Sequence, residues 1–252
     1  MALQPAYLLH RRPYRETSAL VDLLTLEHGL VRAVARGVAR PGSRTRSALQ
    51  PFTPLNVMWR GKGELKTLTL IEAAGPGVLL AGEGLLCGLY ANELLSRCLP
   101  RDFAVEALFA HYGALLPELA VPAQRAAKLR RLEVTLLEAL DADPVFSVLK
   151  ASDTDSPTIT SLHPQERYLY DIGSRHFLVA SHSQQGVDGR TLKLLAQGDW
   201  EAAGLARQSK WLLRQALLPL MGDRPLRSRA LMQSLLEKRR QRVPVSILSR
   251  SE

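Results

Sequence analysis

Hydrophobic and polar positions alternate with period two along the first third of the chain, then change to helical spacing after about residue 82. Ala6 to His10 is a short apolar run followed by Arg11, Arg12 and Pro13. Thr17 to Leu26 is a longer run, broken only by Asp22 and Thr25. From Leu30 to Arg36, Arg32, Val34 and Arg36 share one face and Val31, Ala33 and Ala35 the other. Phe52 to Arg60 alternates at Leu55, Val57 and Trp59, and Leu65 to Ala73 is the fifth run. Glu27-His28-Gly29 and Gly61-Lys62-Gly63 are tight turns between runs. Five short strands turned by glycines predict a small closed barrel rather than an open sheet, because closure removes exposed edges.

Gly75-Pro76-Gly77 ends that pattern. Gly84 to Leu99 is apolar on most sides (Leu85, Leu86, Leu89, Tyr90, Leu94, Leu95, Cys98) and predicts a buried central helix, with Glu93 and Arg97 paired at i,i+4. Asp102 is the expected N-cap of a helix from Phe103 to Leu116. Ala123 to Leu140 predicts a third helix, with Leu129, Leu132, Leu136 and Leu140 in one stripe beside Lys128, Arg130 and Arg131. Residues 151–166 are polar and predict a loop. Tyr168 to Ile172 and His176 to Ser181 predict a hairpin around Gly173-Ser174. Helices are expected again at Thr191 to Ala196, Trp200 to Leu218 and Leu231 to Leu236. The predicted class is α+β. An N-terminal five-stranded OB-fold β-barrel (residues 1–80) precedes an α-helical domain (81–238). That domain carries a small β-hairpin insertion within an irregular segment at about 146–187. A basic tail, 239–252, is expected to be disordered.

Charge sharpens this picture. The net charge is +9 and the pI near 9.9. Residues 1–80 hold 11 Lys/Arg against 5 Asp/Glu, residues 81–160 hold 7 against 11, and residues 161–252 hold 15 against 8. Two basic regions therefore flank an acidic middle. From His28 to Gly63 there are seven Lys/Arg and no Asp or Glu. A basic loop without counter-charge on a β-scaffold suits a polyanion backbone, since neighbouring carboxylates would cancel the field that attracts phosphate. OB-folds hold single strands by tracking the backbone with charge and stacking bases on aromatics. The aromatics here are Tyr7, Tyr14, Phe52 and Trp59. Phe52 and Trp59 are expected to fill the barrel, which leaves Tyr14, beside Arg11, Arg12 and Arg15, as the better stacking candidate. The DNA-binding candidates are Arg11, Arg12, Arg32, Arg36, Arg40, Arg44, Arg46, Lys62 and Lys66 at one end of the chain. At the other they are Arg207, Lys210, Arg214, Arg227 and Arg229, the first three lining one helical face. Surfaces at both ends could neutralise two mutually repelling strands, and pairing itself would drive annealing without ATP.

Chemistry is not indicated. The sequence has no GxxxxGK[ST], GxSxG or HExxH. His163, His176 and His182 have no cysteine nearby and make no metal set. Cys87 and Cys98, eleven apart in one predicted helix, are too distant to bridge and are expected to be reduced packing residues. No signal peptide is expected from the first residues, and no run is long and apolar enough to span a membrane. A cytoplasmic binding or remodelling protein is expected, not an enzyme, with no cofactor.

Four segments carry a family resemblance: residues 48–55 (ALQPFTPL), 61–68 (GKGELKTL), 88–97 (GLYANELLSR) and 225–229 (PLRSR). With these the chain resembles the bacterial recombination mediators of the RecO family, over almost its whole length, and most closely their proteobacterial branch. Other members carry a four-cysteine zinc motif after the helical region. The corresponding stretch here, about Phe146 to His182, has no cysteine, so no zinc is expected. The resemblance implies binding of single- and double-stranded DNA, annealing of strands coated with single-stranded-DNA-binding protein, and partnership with RecR to load RecA. It also implies that the acidic, Phe-terminated tail of the single-stranded-DNA-binding protein docks on the helical domain. Such a tail needs an apolar pocket rimmed by Arg or Lys, for which Arg130 and Arg131 beside Leu132 and Leu136, with Lys193, are the candidates. A nucleoid-associated protein, monomeric when free, is expected. The alternative from another class is an RNA-binding OB-fold protein of translation or ribosome assembly.

Overall fold

A computed structural model describes residues 2–142, 161–174, 176–180, 186–199, 202 and 204–242. Residues 151–160 of the expected loop at 151–166, and the tail beyond Arg242, lie outside the described residues.

Strands β1 (Gln4–Tyr14), β2 (Ser18–Thr25), β3 (Gly29–Ala35), β4 (Pro54–Arg60) and β5 (Lys66–Ala73) close a barrel in the order β1-β2-β3-β5-β4. All pairs are antiparallel except β3 with β5, which meet in parallel at Ala33–Lys66 and Val34–Thr67. This is the OB-fold. Alternation sorts the side chains: Ala6, Leu8, Val21, Leu23, Val31, Ala33, Leu55, Val57 and Trp59 fill the barrel. Leu9 lies at a register shift in β1. It turns outward with Leu24 and Leu30 into a second core.

That second core belongs to the helices α2 (Gly82–Cys98), α3 (Glu106–Glu118) and α4 (Arg125–Ala139), and to α5 (Gly189–Gln197), α6 (Leu205–Met221) and α7 (Arg227–Arg242). Phe52 belongs here rather than inside the barrel. With φ at +61° it swings onto α2, where a Cβ at Gly88 would meet its ring at 2.7 Å. Only Trp59 of the expected pair fills the barrel. Gly88 is thus the notch that lets the barrel's edge dock on the central helix. Helix α7 runs to Arg242, so residues 239–242 continue a helix where a tail was expected.

Asp102 does not cap α3, which begins at Glu106 behind Val105. It belongs to a seam between the two cores. Its N–H donates to the Leu30 carbonyl at 3.1 Å, Arg101 bridges Leu30, and its carboxylate takes the ammonium of Lys66. Arg101 also pairs with Glu64 at 2.8 Å. Gly29, at φ +59°, lets the β2–β3 turn close against this segment, since a Cβ there would lie 1.8 Å from the Phe103 carbonyl oxygen.

The expected hairpin is present as β6 (Arg167–Asp171) and β7 (His176–Val179), and a two-residue strand β8 (Val187–Asp188) extends it to the sheet β7-β6-β8. Cys87 and Cys98 are buried free thiols of α2, and burial pushes the Cys98 thiol up to about 12.

Candidate nucleic-acid interface and basic pocket

The segment joining β3 to β4 is organised by the short helix α1 (Arg44–Ala48), where the sequence predicted a basic loop. Ser43 caps it by accepting from the Arg46 N–H at 3.2 Å. Leu49 then anchors the segment in the barrel core, and its carbonyl accepts from the Arg11 guanidinium at 3.4 Å. The result is a fixed loop whose Arg36, Arg40, Arg44 and Arg46 are exposed, as are Arg12 and Lys62. None of these six forms an ion pair among the described residues. Tyr14 lies half-buried at the end of β1 with the Arg15 guanidinium over its ring, 5.2 Å from the centroid. Tyr7 is not available for stacking on a base, because it packs against Phe109 and Tyr112.

Two of the barrel candidates stand apart from that exposed set. Arg32 is bound to Asp22 on the adjacent strand, Nε to Oδ1 at 2.5 Å and Nη2 to Oδ2 at 3.1 Å, which raises its pKa further. Period two places Arg32 outward, but the residue paired with it in β2 is the one carboxylate of that strand. Lys66 is buried against Asp102. The exposed basic strip thus follows the loop, not the whole barrel.

The second basic region opens into a pocket of about 330 Å³ between α2, α4, α6 and α7. Leu86, Cys87, Tyr90, Leu129 and Met232 give it an apolar floor. Arg125, Arg130, Lys210 and Arg229 bring four cations to it. Each arginine is held from behind. Arg125 donates to the Leu119 carbonyl at 2.7 Å and the Ala120 carbonyl at 3.3 Å. Arg130 donates to Glu133 at 2.6 Å, and the Tyr90 hydroxyl donates to the same carboxylate oxygen at 2.5 Å. Arg229 reaches the Tyr90 hydroxyl at 3.3 Å and lies over its ring. Burial, then the nearby Glu133 charge, raises the Tyr90 pKa, so the phenol stays protonated and donating. The other Glu133 oxygen and the Arg130 Nε are buried with no hydrogen-bond partner among the described residues.

The stripe proposed from the sequence is divided by the helix. Arg131 and Leu132 line a different depression of about 200 Å³ between α3 and α4, with His111, Glu118 and Lys128. Leu136 is fully buried and lines neither pocket. Lys193 is half-buried on α5, which packs on α6 and β8. Conversely Lys210 and Arg229, picked out for a second DNA strand, line the pocket beside Arg130. Arg207 and Arg214 remain exposed on the same helix as Lys210, and Arg227 is exposed at the start of α7. Sequence reading missed Arg125, Tyr90 and Glu133. The i,i+3 spacing of Arg130 and Glu133 was a readable sign of the pair, whereas the partnership with Tyr90 spans 43 residues and needs the fold.

The end of α7 nearest the pocket is fixed by α2. Glu93 accepts from the Arg227 N–H at 2.9 Å, the Ser228 N–H at 2.9 Å and the Ser228 hydroxyl at 2.7 Å, and pairs with Arg97 at 2.9 Å. Arg97 in turn donates to the carbonyls of Arg224 and Pro225.

Comparison with known proteins agrees with this architecture. The N-terminal family model "Recombination protein O N terminal" matches residues 1–76, the barrel. "DNA repair protein RecO" of Nitrosococcus oceani is 43% identical over 237 residues, covering 93% of this chain and 94% of the relative. The protein of the same name from Pseudomonas aeruginosa is 42% identical, covering 95% of this chain and 98% of the relative. That from Aromatoleum aromaticum is 38% identical, covering 93% and 96%. With near-complete coverage in both directions, the chain belongs to the RecO family of DNA repair proteins.

Proposed function

We propose that this protein is a DNA repair and recombination mediator. It binds single- and double-stranded DNA and anneals complementary strands coated with single-stranded-DNA-binding protein. With RecR it helps load RecA. The observation that carries the DNA-binding part is the loop from Arg36 to Arg46. Its four arginines are exposed, unpaired among the described residues, and fixed to a β-barrel by a capped helix and the buried Leu49. Each phosphate neutralised there releases counterions, so binding should fall steeply with salt and show little preference for sequence.

The acidic, Phe-ended tail of single-stranded-DNA-binding protein is assigned to the pocket of Arg125, Arg130, Lys210 and Arg229. Its apolar floor suits a phenyl ring, and guanidinium forks suit a terminal carboxylate and neighbouring acids. The protein acts as a binder, without a cofactor, on DNA in the cytoplasm.

The test of the DNA reading is the rate of annealing of two bare complementary oligonucleotides, with and without the protein. Acceleration that vanishes when Arg36, Arg40, Arg44 and Arg46 are replaced by Glu supports it. Equal rates for the native and substituted proteins would remove the loop from the mechanism.

A further inference from the structure

The pocket and the exposed strip on α6 share one cation, Lys210. Lys210 lines the pocket, while Arg207 and Arg214 flank it three residues before and four after on the same helical face, both exposed. Arg229 lines the pocket from α7, and Arg227 is exposed two residues away. A phosphate backbone following Arg207, Lys210 and Arg214 therefore crosses the pocket mouth. It takes the Lys210 ammonium that an acidic peptide seated below would need. Arg125 is already committed to backbone carbonyls and to Glu83, which lines the pocket 3.7 Å from it, and Arg130 to Glu133. Lys210 has no ion pair among the described residues. Arg229 likewise meets only the neutral Tyr90 phenol, so loss of Lys210 to a phosphate removes one of the pocket's two charges without a carboxylate partner among the described residues, and two polyanions on one mouth also repel each other.

We infer that an acidic peptide in this pocket and a nucleic-acid strand on α6 exclude one another, so that the arriving strand releases the peptide. This rests on the assignment of the acidic tail to the pocket. It gives the site a direction: the tail recruits, and the DNA that the tail's owner was covering then displaces it. No energy source is required beyond the charge of the DNA.

The experiment follows a fluorescently labelled acidic peptide ending in Phe with a free carboxylate, by anisotropy, on the full chain at fixed ionic strength. Unlabelled oligothymidylate is the competitor. Mutual exclusion predicts that the apparent Kd for the peptide rises in proportion to free DNA, tenfold or more, with no plateau. The double variant Arg207→Ala/Arg214→Ala should need several-fold more DNA for the same displacement, each measured against that variant's own peptide Kd. A plateau means that both ligands sit on the protein together with a finite coupling, and an unchanged Kd means that they are independent; either overturns the inference while leaving the pocket assignment intact. If the peptide fails to bind even without DNA, the pocket assignment itself falls, and the inference with it.

Discussion

Arg130 and Arg131 are neighbours in sequence and open onto different sides of α4. Arg130 is buried beside Glu133 at the floor of the large basic pocket, and Arg131 is exposed over the smaller depression between α3 and α4. Successive residues of a helix point about 100° apart, so an arginine pair cannot serve one ligand from both positions at equal strength. Arg130→Ala should weaken binding of an acidic, Phe-ended peptide at least tenfold, about the 1.5–3 kcal/mol of a charged hydrogen bond. Arg131→Ala should change it less than about twofold. Arg229→Ala, which leaves the Arg130–Glu133 pair in place, is the companion variant and should also weaken binding. Equal losses at 130 and 131 would move the site away from this pocket.

The same pair makes a stability prediction. Glu133 is 1% exposed and one of its oxygens has no hydrogen-bond partner among the described residues. Removing Arg130 alone strands a buried carboxylate, at a cost of about 3–5 kcal/mol. Replacing both, as Arg130→Met with Glu133→Leu, should cost clearly less than Arg130→Met alone. Chemical denaturation of the native protein, Arg130→Met, Glu133→Leu and the double variant gives the comparison. Additive losses would mean that the two side chains do not interact.

Glu93 carries a pH prediction. Burial by itself pushes its carboxyl up. The Ser228 N–H and hydroxyl, the Arg227 N–H and the Arg97 charge outweigh this and hold it below its ordinary 4.5. A carboxyl whose pKa is lower in the folded state contributes stability above its unfolded pKa, and that contribution fades as pH falls through the folded value. The anchoring of α7 on α2 should therefore be complete at neutral pH and weaken below about pH 4.5. Glu93→Gln should melt below the native protein at pH 7, and the gap should close as the pH is lowered into the carboxylate range. A gap independent of pH would assign the effect to shape rather than charge.

Gly29→Ala tests the seam between barrel and helices. The substitution puts a side chain at φ +59°, worth about 1–2 kcal/mol, and drives its Cβ into the Phe103 carbonyl. The expected result is a destabilisation above 2 kcal/mol and a weakened Lys66–Asp102 contact, read as faster hydrogen exchange at the Asp102 N–H. A melting point equal to the native one would show that the 101–104 segment moves aside freely.

Much of the architecture was readable because each element has its own period. Val31, Ala33 and Ala35 predicted a barrel face without knowing their partners, and the glycine turns fixed the strand count. What failed were inferences from local signals that distant residues overrode. Asp102 had the composition of a cap, but Lys66 and the Leu30 carbonyl claimed it for the seam. Phe52 sat in an alternating run, yet a glycine notch 36 residues later drew it to the other core. Arg32 counted as a free charge until Asp22, across the sheet, was placed beside it. The pocket could not be assembled from sequence at all, because its cations come from three helices and are spread from Arg125 to Arg229 along the chain.

Recruitment through the pocket is decided by annealing two complementary oligonucleotides, each coated with single-stranded-DNA-binding protein that either keeps or lacks its acidic tail. This protein should accelerate annealing markedly with the intact tail and much less without it, and Arg130→Ala should erase the difference. Equal rates with both forms, alongside tight DNA binding, would contradict it and leave a nucleic-acid binder that is not recruited through the pocket.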